Sequence, residues 1–255
     1  MELGHLLFTV FSAFFGLAVG SFLNVCIYRI PKGMFFKEKH SYCPKCGATL
    51  KWYDMIPVFS WIFLKGRCRN CHEKISARYP VVEALNAVLW TLSAYFFGLT
   101  ANAFVYDVLF SALIVMTFID IDTKEIPNGI VLLIIILSIP LFFTARDVIW
   151  WQRLAGAAVI SVPLYLIALV SGGGIGGGDI KLFFALGLVL GLYKTLICAF
   201  IAIVSAGLIG GVLLISKKVK KGFELPLGPF IALGGVLTVF LGDMTVNALR
   251  ALFGL

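Results

Sequence analysis

Long apolar segments recur along the whole chain, and short connectors that contain charged residues, glycine or proline separate most of them. Most segments approach the roughly 20 residues that an α-helix needs to cross the hydrocarbon core of a membrane. Inside lipid the backbone has no water to bond, so each crossing segment must be helical. The pattern predicts an all-α polytopic membrane protein with about eight transmembrane helices, at residues 6–28, 80–98, 103–122, 127–144, 153–171, 179–192, 194–216 and 228–251.

Composition supports this class and argues against an ordinary soluble protein. Of the 255 residues, 60% are apolar and only 13% are charged, whereas soluble domains are about one quarter charged. The mean hydropathy is +1.00. Residues 31–79 are the only stretch able to form a small soluble domain. We therefore predict a first transmembrane helix in residues 1–30, an inserted soluble module in 31–79 and a membrane domain in 80–255.

Positive charge orients the predicted helices. Eleven of the 21 Lys and Arg residues lie between Arg29 and Arg78, after the first helix, and cytoplasmic connectors are enriched in these residues. The first apolar segment is too long for a cleaved signal peptide and follows Glu2 and His5, so we expect a retained helix with its amino terminus outside. The net charge of +8 then reflects topology, and we expect no nucleic-acid partner. The predicted cytoplasmic connectors are 29–79, 123–126, 172–178 and 217–227.

The polar module contains two CxxC pairs, Cys43 with Cys46 and Cys68 with Cys71. Four thiolates at this spacing are typical of a tetrahedral zinc site, and a site filled by four protein ligands is structural. A domain of this size commonly needs such a stabilising element. Disulfides are disfavoured in the reducing cytoplasm. Haem attachment through Cys68, Cys71 and His72 would leave the first pair without a role, so we expect no haem.

Three aspartates lie at the predicted cytoplasmic edge of the membrane. Asp120 and Asp122 end the third apolar segment, and Asp179 begins the sixth. A carboxylate near lipid is costly unless it faces a partner or a wet cavity, and two close carboxylates form the catalytic pair of aspartic proteases. Asp120 and Asp122 point about 200° apart around a helix, so only one is expected to pair with Asp179. The pattern leaves open which one pairs, and the other is an interfacial acid.

A glycine-rich segment, residues 172–178, precedes Asp179 and has six glycines in seven positions. Such a segment cannot form a stable helix, but it permits close approach of another backbone. A peptide must be extended before two carboxylates can reach its scissile bond, and open backbone beside Asp179 can bond an extended strand. An ordinary flexible loop is the alternative interpretation.

Two other functions compete with a membrane peptidase. Acids beside broken helices also mark ion- or proton-coupled transporters. Those acids lie near mid-bilayer in two related halves, whereas this sequence shows no internal repeat and its acids lie at one edge. A membrane-tethered zinc adaptor would not need eight spans. A peptidase is therefore the leading hypothesis.

The motifs resemble those of the bacterial type IV prepilin peptidases, which are leader peptidases and N-methyltransferases of the GxGD aspartic class. Residues 176–182 are similar to the GxGD-x-KL element of that family, and residues 118–122 with Pro127 are similar to its first catalytic motif. One departure is Asn128, where an acid often follows the proline. The order of motifs agrees over nearly the whole chain, including residues 20–25, the two CxxC pairs, 78–83 and 226–230.

The resemblance implies an activity and its residues. It implies cleavage of a basic leader after a glycine, at the cytoplasmic face of the bacterial inner membrane, in prepilins or pseudopilins of pilus and secretion systems. S-adenosylmethionine would then methylate the new amino terminus, and Gly66 and Glu83 are the candidate methylation residues. The resemblance selects Asp120 as the catalytic partner of Asp179. The supporting motif residues are Asp122, Gly176, Gly178 and Lys181.

Substrate recognition cannot rest on simple charge attraction, because the implied leader and the predicted enzyme face are both basic. We expect the apolar helix of the substrate to pack against the membrane spans instead. Glu73, Glu83 and Glu125 are the acids available to contact the leader.

Overall fold

The computed structural model describes residues 3–34, 41–145, 148–172, 176–217 and 225–253. Across these residues the chain is helical, and its only β-type pairings are two isolated bridges, Tyr42 with Thr49 and Arg67 with Lys74. A short 3-10 helix covers Trp52–Met55. The helices are α1 (Leu3–Arg29), α2 (Phe59–Phe63), α3 (Arg78–Phe97), α4 (Ala101–Thr123), α5 (Asn128–Thr144), α6 (Trp150–Val170), α7 (Gly177–Leu190), α8 (Leu192–Ile215) and α9 (Gly228–Phe253).

All of these helices except α2 coincide with the predicted apolar segments, and the all-α membrane architecture is confirmed. Within the described residues, six helices are long and apolar enough to cross a membrane, namely α1, α3, α4, α6, α8 and α9. Helix α5 is apolar but has only 17 residues, and α7 has 14. Both of these shorter helices lie after Asp120 in the chain.

The described chain divides into two compact units, Met1–Val115 and Met116–Leu255. In the first unit α1 packs along α3, and two glycines one helical turn apart allow the close approach. A Cβ atom at Gly16 would lie 2.8 Å from the Cα of Ala87, and one at Gly20 would lie 2.7 Å from the Cα of Glu83. The side-chain amide of Asn86 donates to the carbonyl of Gly16 at 2.8 Å. Small residues and interhelical hydrogen bonds are the usual means of helix association in lipid.

A second set of polar contacts joins α3 to the first half of α4. The Ser111 hydroxyl donates to the side-chain oxygen of Asn86 at 2.8 Å, and the indole N–H of Trp90 donates to the same hydroxyl at 3.1 Å. Ser111 and Asn86 are buried. Each polar atom of this group thus has a partner away from water, as a buried network requires.

In the second unit α7 lies against α5, α6, α8 and α9. Its closest neighbour is α6, because glycines face each other where the two helices cross. A Cβ atom at Gly156 would lie 2.8 Å from the carbonyl oxygen of Gly187 and 2.6 Å from the carbonyl carbon of Gly191. A Cβ atom at Gly187 would overlap the backbone of Gly156. The axial position of α7 relative to α6 is thereby fixed by backbone contact.

Arg153 binds the carboxyl end of α7. It lies inside α6 and is 1% exposed. The sequence pattern had placed it at the first position of the predicted span 153–171. Its guanidinium donates to the carbonyls of Leu188 at 3.1 Å and Val189 at 2.7 Å, and it lies 5.5 Å from the ring centre of Phe142. The last carbonyls of a helix lack intrahelical donors and carry partial negative charge. A buried cation is stabilised at this position for that reason.

We predict that replacing Gly187 with valine lowers the melting temperature of the purified protein in detergent. The added side chain meets backbone of α6 that cannot move aside, and overpacking typically costs about 1–3 kcal/mol. Gly207→Val on α8 is the matched control, because a Cβ atom there meets nothing within 4 Å. Equal melting temperatures for the two variants would show that α6 and α7 are not in backbone contact.

Candidate active site and metal centre

The two CxxC pairs form turns of the same shape. In the first, the N–H of Gly47 donates to the carbonyl of Cys43 at 2.9 Å, and in the second the N–H of His72 donates to the carbonyl of Cys68 at 3.0 Å. Gly47 and His72 both have positive φ, at 71° and 56°. Histidine is one of the few residues other than glycine that adopts this region readily. His72 is exposed and serves as the turn residue of the second pair.

The four cysteines of these turns come together as predicted. Their sulfur atoms all lie within 4.8 Å of one another, and the sulfurs of Cys43 and Cys71 are 3.9 Å apart. Zinc–sulfur bonds of about 2.3 Å in a tetrahedron place sulfurs about 3.8 Å apart. All six cysteines of the chain are free thiols. The cluster therefore fits one metal ion held by four protein ligands.

Hydrogen bonds to two of these cysteines favour the thiolate form, which is the form that binds a metal cation. The backbone N–H of Ala48 and the side-chain amide of Asn70 lower the pKa of Cys46 to about 6; the amide nitrogen lies 3.6 Å from the sulfur. The N–H of Glu73 favours the thiolate of Cys71, but desolvation and the three neighbouring sulfurs raise the pKa of Cys71 to about 12. All four cysteines could therefore be thiolates together only with a positive charge among them, as at a metal site.

Gly66 occupies a turn just before the second CxxC pair. Its φ is +65°, and a Cβ atom there would lie 2.8 Å from the indole ring of Trp61. The indole N–H of Trp61 donates to the carbonyl of Ile75 at 3.1 Å, and the N–H of Ile75 donates to the carbonyl of Gly66 at 2.7 Å. Both the backbone conformation and the ring contact require glycine here.

Asp120 lies in the last turn of α4 and is 4% exposed. Its Oδ2 atom accepts a hydrogen bond of 2.9 Å from the N–H of Gly228, the first residue of α9. The first N–H groups of a helix have no intrahelical partner and attract negative charge. A Cβ atom at residue 228 would lie 2.6 Å from Oδ2 of Asp120 and 2.9 Å from the sulfur of Met116. The carboxylate therefore needs glycine opposite it.

Asp179 lies in the first turn of α7 and is half-buried. The carboxylate of Asp120 is close enough to act on it electrostatically. Asp122, two residues beyond Asp120, is exposed. Asp120 and Asp179 thus lie near enough to interact, whereas Asp122 is exposed, as expected for two residues about 200° apart around a helix.

The glycines before Asp179 differ in their surroundings. Gly173, Gly174 and Ile175 lie outside the described residues. A Cβ atom at Gly176 would lie 3.1 Å from Oδ2 of Asp179, and one at Gly178 would lie 3.0 Å from the Cβ of Ile126. At Gly177 a Cβ atom would meet nothing within 4 Å. The spacing of a GxGD motif follows from these contacts, because only its first and third positions are sterically restricted.

Lys181 is exposed and connects α7 to the start of α5. Its Nζ atom donates to the side-chain oxygen of Asn128 at 3.1 Å. Asn128 is the position where the sequence departs from the motif of the prepilin peptidase family that it resembles. The acceptor is a neutral amide, so this contact is a hydrogen bond and not an ion pair.

Glu83 connects α3 to the polar module within the first unit. Its Oε2 atom accepts the N–H of Val58 at 2.6 Å, and the Ser21 hydroxyl also bonds to the carboxylate. Val58 has φ 62° and ψ −52°, at the centre of a γ-turn closed by the Phe59 N–H and the Pro57 carbonyl at 2.6 Å. This conformation is rare and strained for a β-branched residue. Glu83 holds the turn in place.

Asp107 is a buried acid that the sequence analysis missed. It lies in α4, is 5% exposed, and its Oδ1 atom has no hydrogen-bond partner among the described residues. The neighbouring Ser93 hydroxyl donates to the carbonyl of Ala103 at 3.3 Å. The sequence feature that could have identified it is its position inside the predicted span 103–122, away from the connectors where the motifs lie.

Comparison with known families gives two matches. The family model described as the bacterial peptidase A24 N-terminal domain matches residues 14–97. The model of the type IV leader peptidase family matches residues 108–211. The first region contains the cysteine cluster and Glu83, and the second contains Asp120 and Asp179.

Similar proteins named prepilin leader peptidase/N-methyltransferase align over most of the chain. The protein from Bacillus subtilis is 35% identical over 237 residues, which cover 91% of this chain and 94% of the relative. The proteins from Stutzerimonas stutzeri and Neisseria gonorrhoeae are each 32% identical, over 93% and 94% of this chain and 92% of each relative. No solved structure matches the chain.

Fold and site together define a multi-pass membrane protein with a buried carboxylate at helix ends and a cluster of four cysteines that could hold a metal ion. The chain belongs to the type IV leader peptidase family. The resemblance inferred from the sequence motifs is thereby confirmed.

We predict that Glu83→Ala lowers the melting temperature of the purified protein and speeds cleavage of residues 41–79 by trypsin. The strained turn loses its acceptor, and an unpaired buried donor costs about 1–3 kcal/mol. Glu83→Gln retains an acceptor oxygen and should recover most of the loss. Glu73→Ala, an exposed acid of the same module, should behave as wild type. A Glu83→Ala protein as stable as the Glu73→Ala protein would exclude this role.

Proposed function

We propose that this chain is a membrane aspartic endopeptidase that removes the leader from prepilin-like proteins, with Asp120 and Asp179 as the catalytic pair. The observation that carries the proposal is the burial of Asp120 beside Asp179, where α4 ends and α7 and α9 begin. The names of the aligned relatives support the substrate class. The same names support a second activity, methylation of the new amino terminus.

In the proposed mechanism one carboxylate takes a proton from a water molecule, which attacks the scissile carbonyl. The other carboxyl group donates a proton to the carbonyl oxygen, so that a tetrahedral intermediate forms. The C–N bond then breaks as a proton passes to the leaving amine. The N–H of Gly228 fixes Oδ2 of Asp120 during these steps. The open space beside Gly177, where a Cβ atom would meet nothing within 4 Å, leaves room near Asp179 for an extended substrate backbone, and Asp122 lies outside the reacting group.

The proposed site faces the cytoplasm of a bacterium, at its inner membrane. Asp120, Asp179 and Gly228 stand at helix ends that adjoin the predicted cytoplasmic connectors 123–126, 172–178 and 217–227, of which the last contains four Lys residues, as expected of a cytoplasmic connector. The cysteine module follows α1 on the same predicted side. Substrate leaders would meet both parts of the protein without crossing the membrane.

We propose that the four cysteines hold a structural zinc ion. A closed set of four thiolates leaves no open position for a substrate or water, which excludes a Lewis-acid role for the metal. The ion would hold the two CxxC turns together in a module with few buried apolar side chains.

S-adenosylmethionine is the methyl donor in the proposed second activity and supplies the methyl group to the free amine. In this second activity Glu83 and Gly66 have an indirect role, because they hold the backbone of the cysteine module in place. The carboxylate of Glu83 is occupied by Val58 and Ser21, and Gly66 lies against Trp61. Neither residue therefore offers an open group to the donor, and both maintain the module's backbone.

An ion- or proton-coupled transporter remains the second candidate from the sequence pattern. The aligned relatives are named as leader peptidases, which does not favour transport. The paired acids are at helix ends and not at mid-helix.

We predict that Asp120→Asn and Asp179→Asn each reduce leader cleavage of a prepilin in liposomes by roughly a thousandfold or more, because a pair acts as a unit. Asp122→Asn is the matched control and should retain cleavage. The melting temperatures of all three variants should show that they are folded. Normal cleavage by either of the first two variants would disprove the catalytic pair.

We predict that the purified protein contains about one zinc ion per chain. Cys46→Ser and Cys71→Ser should each lose it, as measured by elemental analysis, because three thiolates bind zinc less tightly. Cys198 is a buried residue of α8, and the Cys198→Ala protein should retain the metal. Full zinc content in the Cys46→Ser protein would show that the four cysteines are not the ligands.

A further inference from the structure

The second unit contains an open cleft of about 420 Å³ between α5, α6 and α7. Its lining is mainly apolar, from Val131 and Ile135 of α5, Val162 and Tyr165 of α6, and Phe184 of α7. Val162 and Tyr165 are 50% and 54% exposed, so in a membrane the cleft opens towards lipid. Its occupant has to be apolar and has to arrive from within the bilayer.

The cleft lies at the end of the helices where Asp179 is found. It follows the first two turns of α5 from Asn128 to Ile135, and on α7 it begins at Ile180, directly after Asp179. At 1.5 Å per residue the lined part of α5 is roughly 10 Å long. A segment lying in the cleft therefore runs along α7 to the turn that carries Asp179.

The charge of Lys181 at the rim of the cleft determines which part of a substrate can lie in it. Lys181 lines the cleft, and it donates to the neutral side chain of Asn128. Within the part of the chain that the structure describes, it forms no ion pair. An unneutralised cation beside lipid repels a basic leader. The rim thus favours the apolar segment that follows the scissile bond.

The cleft is open along one side, which indicates how an apolar helix would lie in it. The residues of α6 that line it are about half exposed, Val162 at 50% and Tyr165 at 54%. A helix is about 10–12 Å wide. The open cleft can therefore accept the side chains along one face of a helix, while the other face remains in lipid.

We propose that this cleft binds the apolar helix of the substrate on the carboxyl side of the scissile bond, and so presents that bond to Asp179. The proposal rests on the proposed peptidase function and specifies how the enzyme recognises its substrate. Selectivity then comes from an apolar face of about two helical turns. The basic leader remains outside the cleft.

Photo-crosslinking tests the contact directly. A benzophenone amino acid replaces Tyr165, which lines the cleft, or Ile167, which lies on another face of α6 and is similarly exposed at 52%. Both are made in the Asp179→Ala protein, so that bound prepilin stays intact. We expect crosslinks to the apolar segment of prepilin from position 165 and not from position 167. Equal labelling from both positions, or crosslinks to the leader alone, would overturn the proposal.

A kinetic test uses the active enzyme. Val162→Trp fills the cleft and should reduce kcat/KM for a prepilin by about tenfold or more, mainly through KM, because the indole ring occupies space that the substrate helix would take. Ile167→Trp should leave kcat/KM unchanged. If wild type cleaves and both variants cleave equally well, the cleft proposal fails and the peptidase function stands. If wild type cleaves no prepilin, the proposed function fails and the cleft proposal with it.

Discussion

Backbone groups inside a bilayer must bond within their own helix, so unpaired backbone donors are available only where helices begin. The candidate active site is built at such positions. Asp120 ends α4, Asp179 begins α7, and the first N–H of α9, from Gly228, bonds to Asp120. A buried carboxylate is stabilised there without a cationic side chain. In the proposed mechanism the reacting groups also lie at the predicted membrane edge, where water is available.

The position of Asp179 depends on how α7 is held. α7 has 14 residues, too few to span a bilayer unaided. Backbone contact between Gly156 of α6 and Gly187 fixes its register, and Arg153 binds its carboxyl end. With the helix held in this way, its first turn can carry glycines that would otherwise destabilise it, while Asp179 is favoured there by the free N–H groups of the helix start. The same packing leaves the cleft beside α5 open to lipid.

Much of the fold could be predicted from sequence, because lipid imposes helix length and composition on each span and CxxC spacing imposes a thiolate cluster. Helical periodicity could not choose between Asp120 and Asp122, and only the resemblance to the family motif selected Asp120. Helical geometry shows only that the two point apart, and the deciding contact is with Gly228, 108 residues further along the chain. Arg153 and Asp107 were also not recognised as buried polar residues, since their burial depends on neighbouring helices and not on local pattern.

The pairing of Asp120 with Asp179 can be measured without relying on activity. Cysteine pairs at positions 120 and 179, or at 122 and 179, are introduced together with Cys26→Ala and Cys198→Ala, and are treated with a short bifunctional thiol reagent in membranes. Mass-spectrometric mapping should find an intramolecular bridge for Asp120→Cys with Asp179→Cys and little for Asp122→Cys with Asp179→Cys. A bridge formed only by the second pair would contradict the proposed active site.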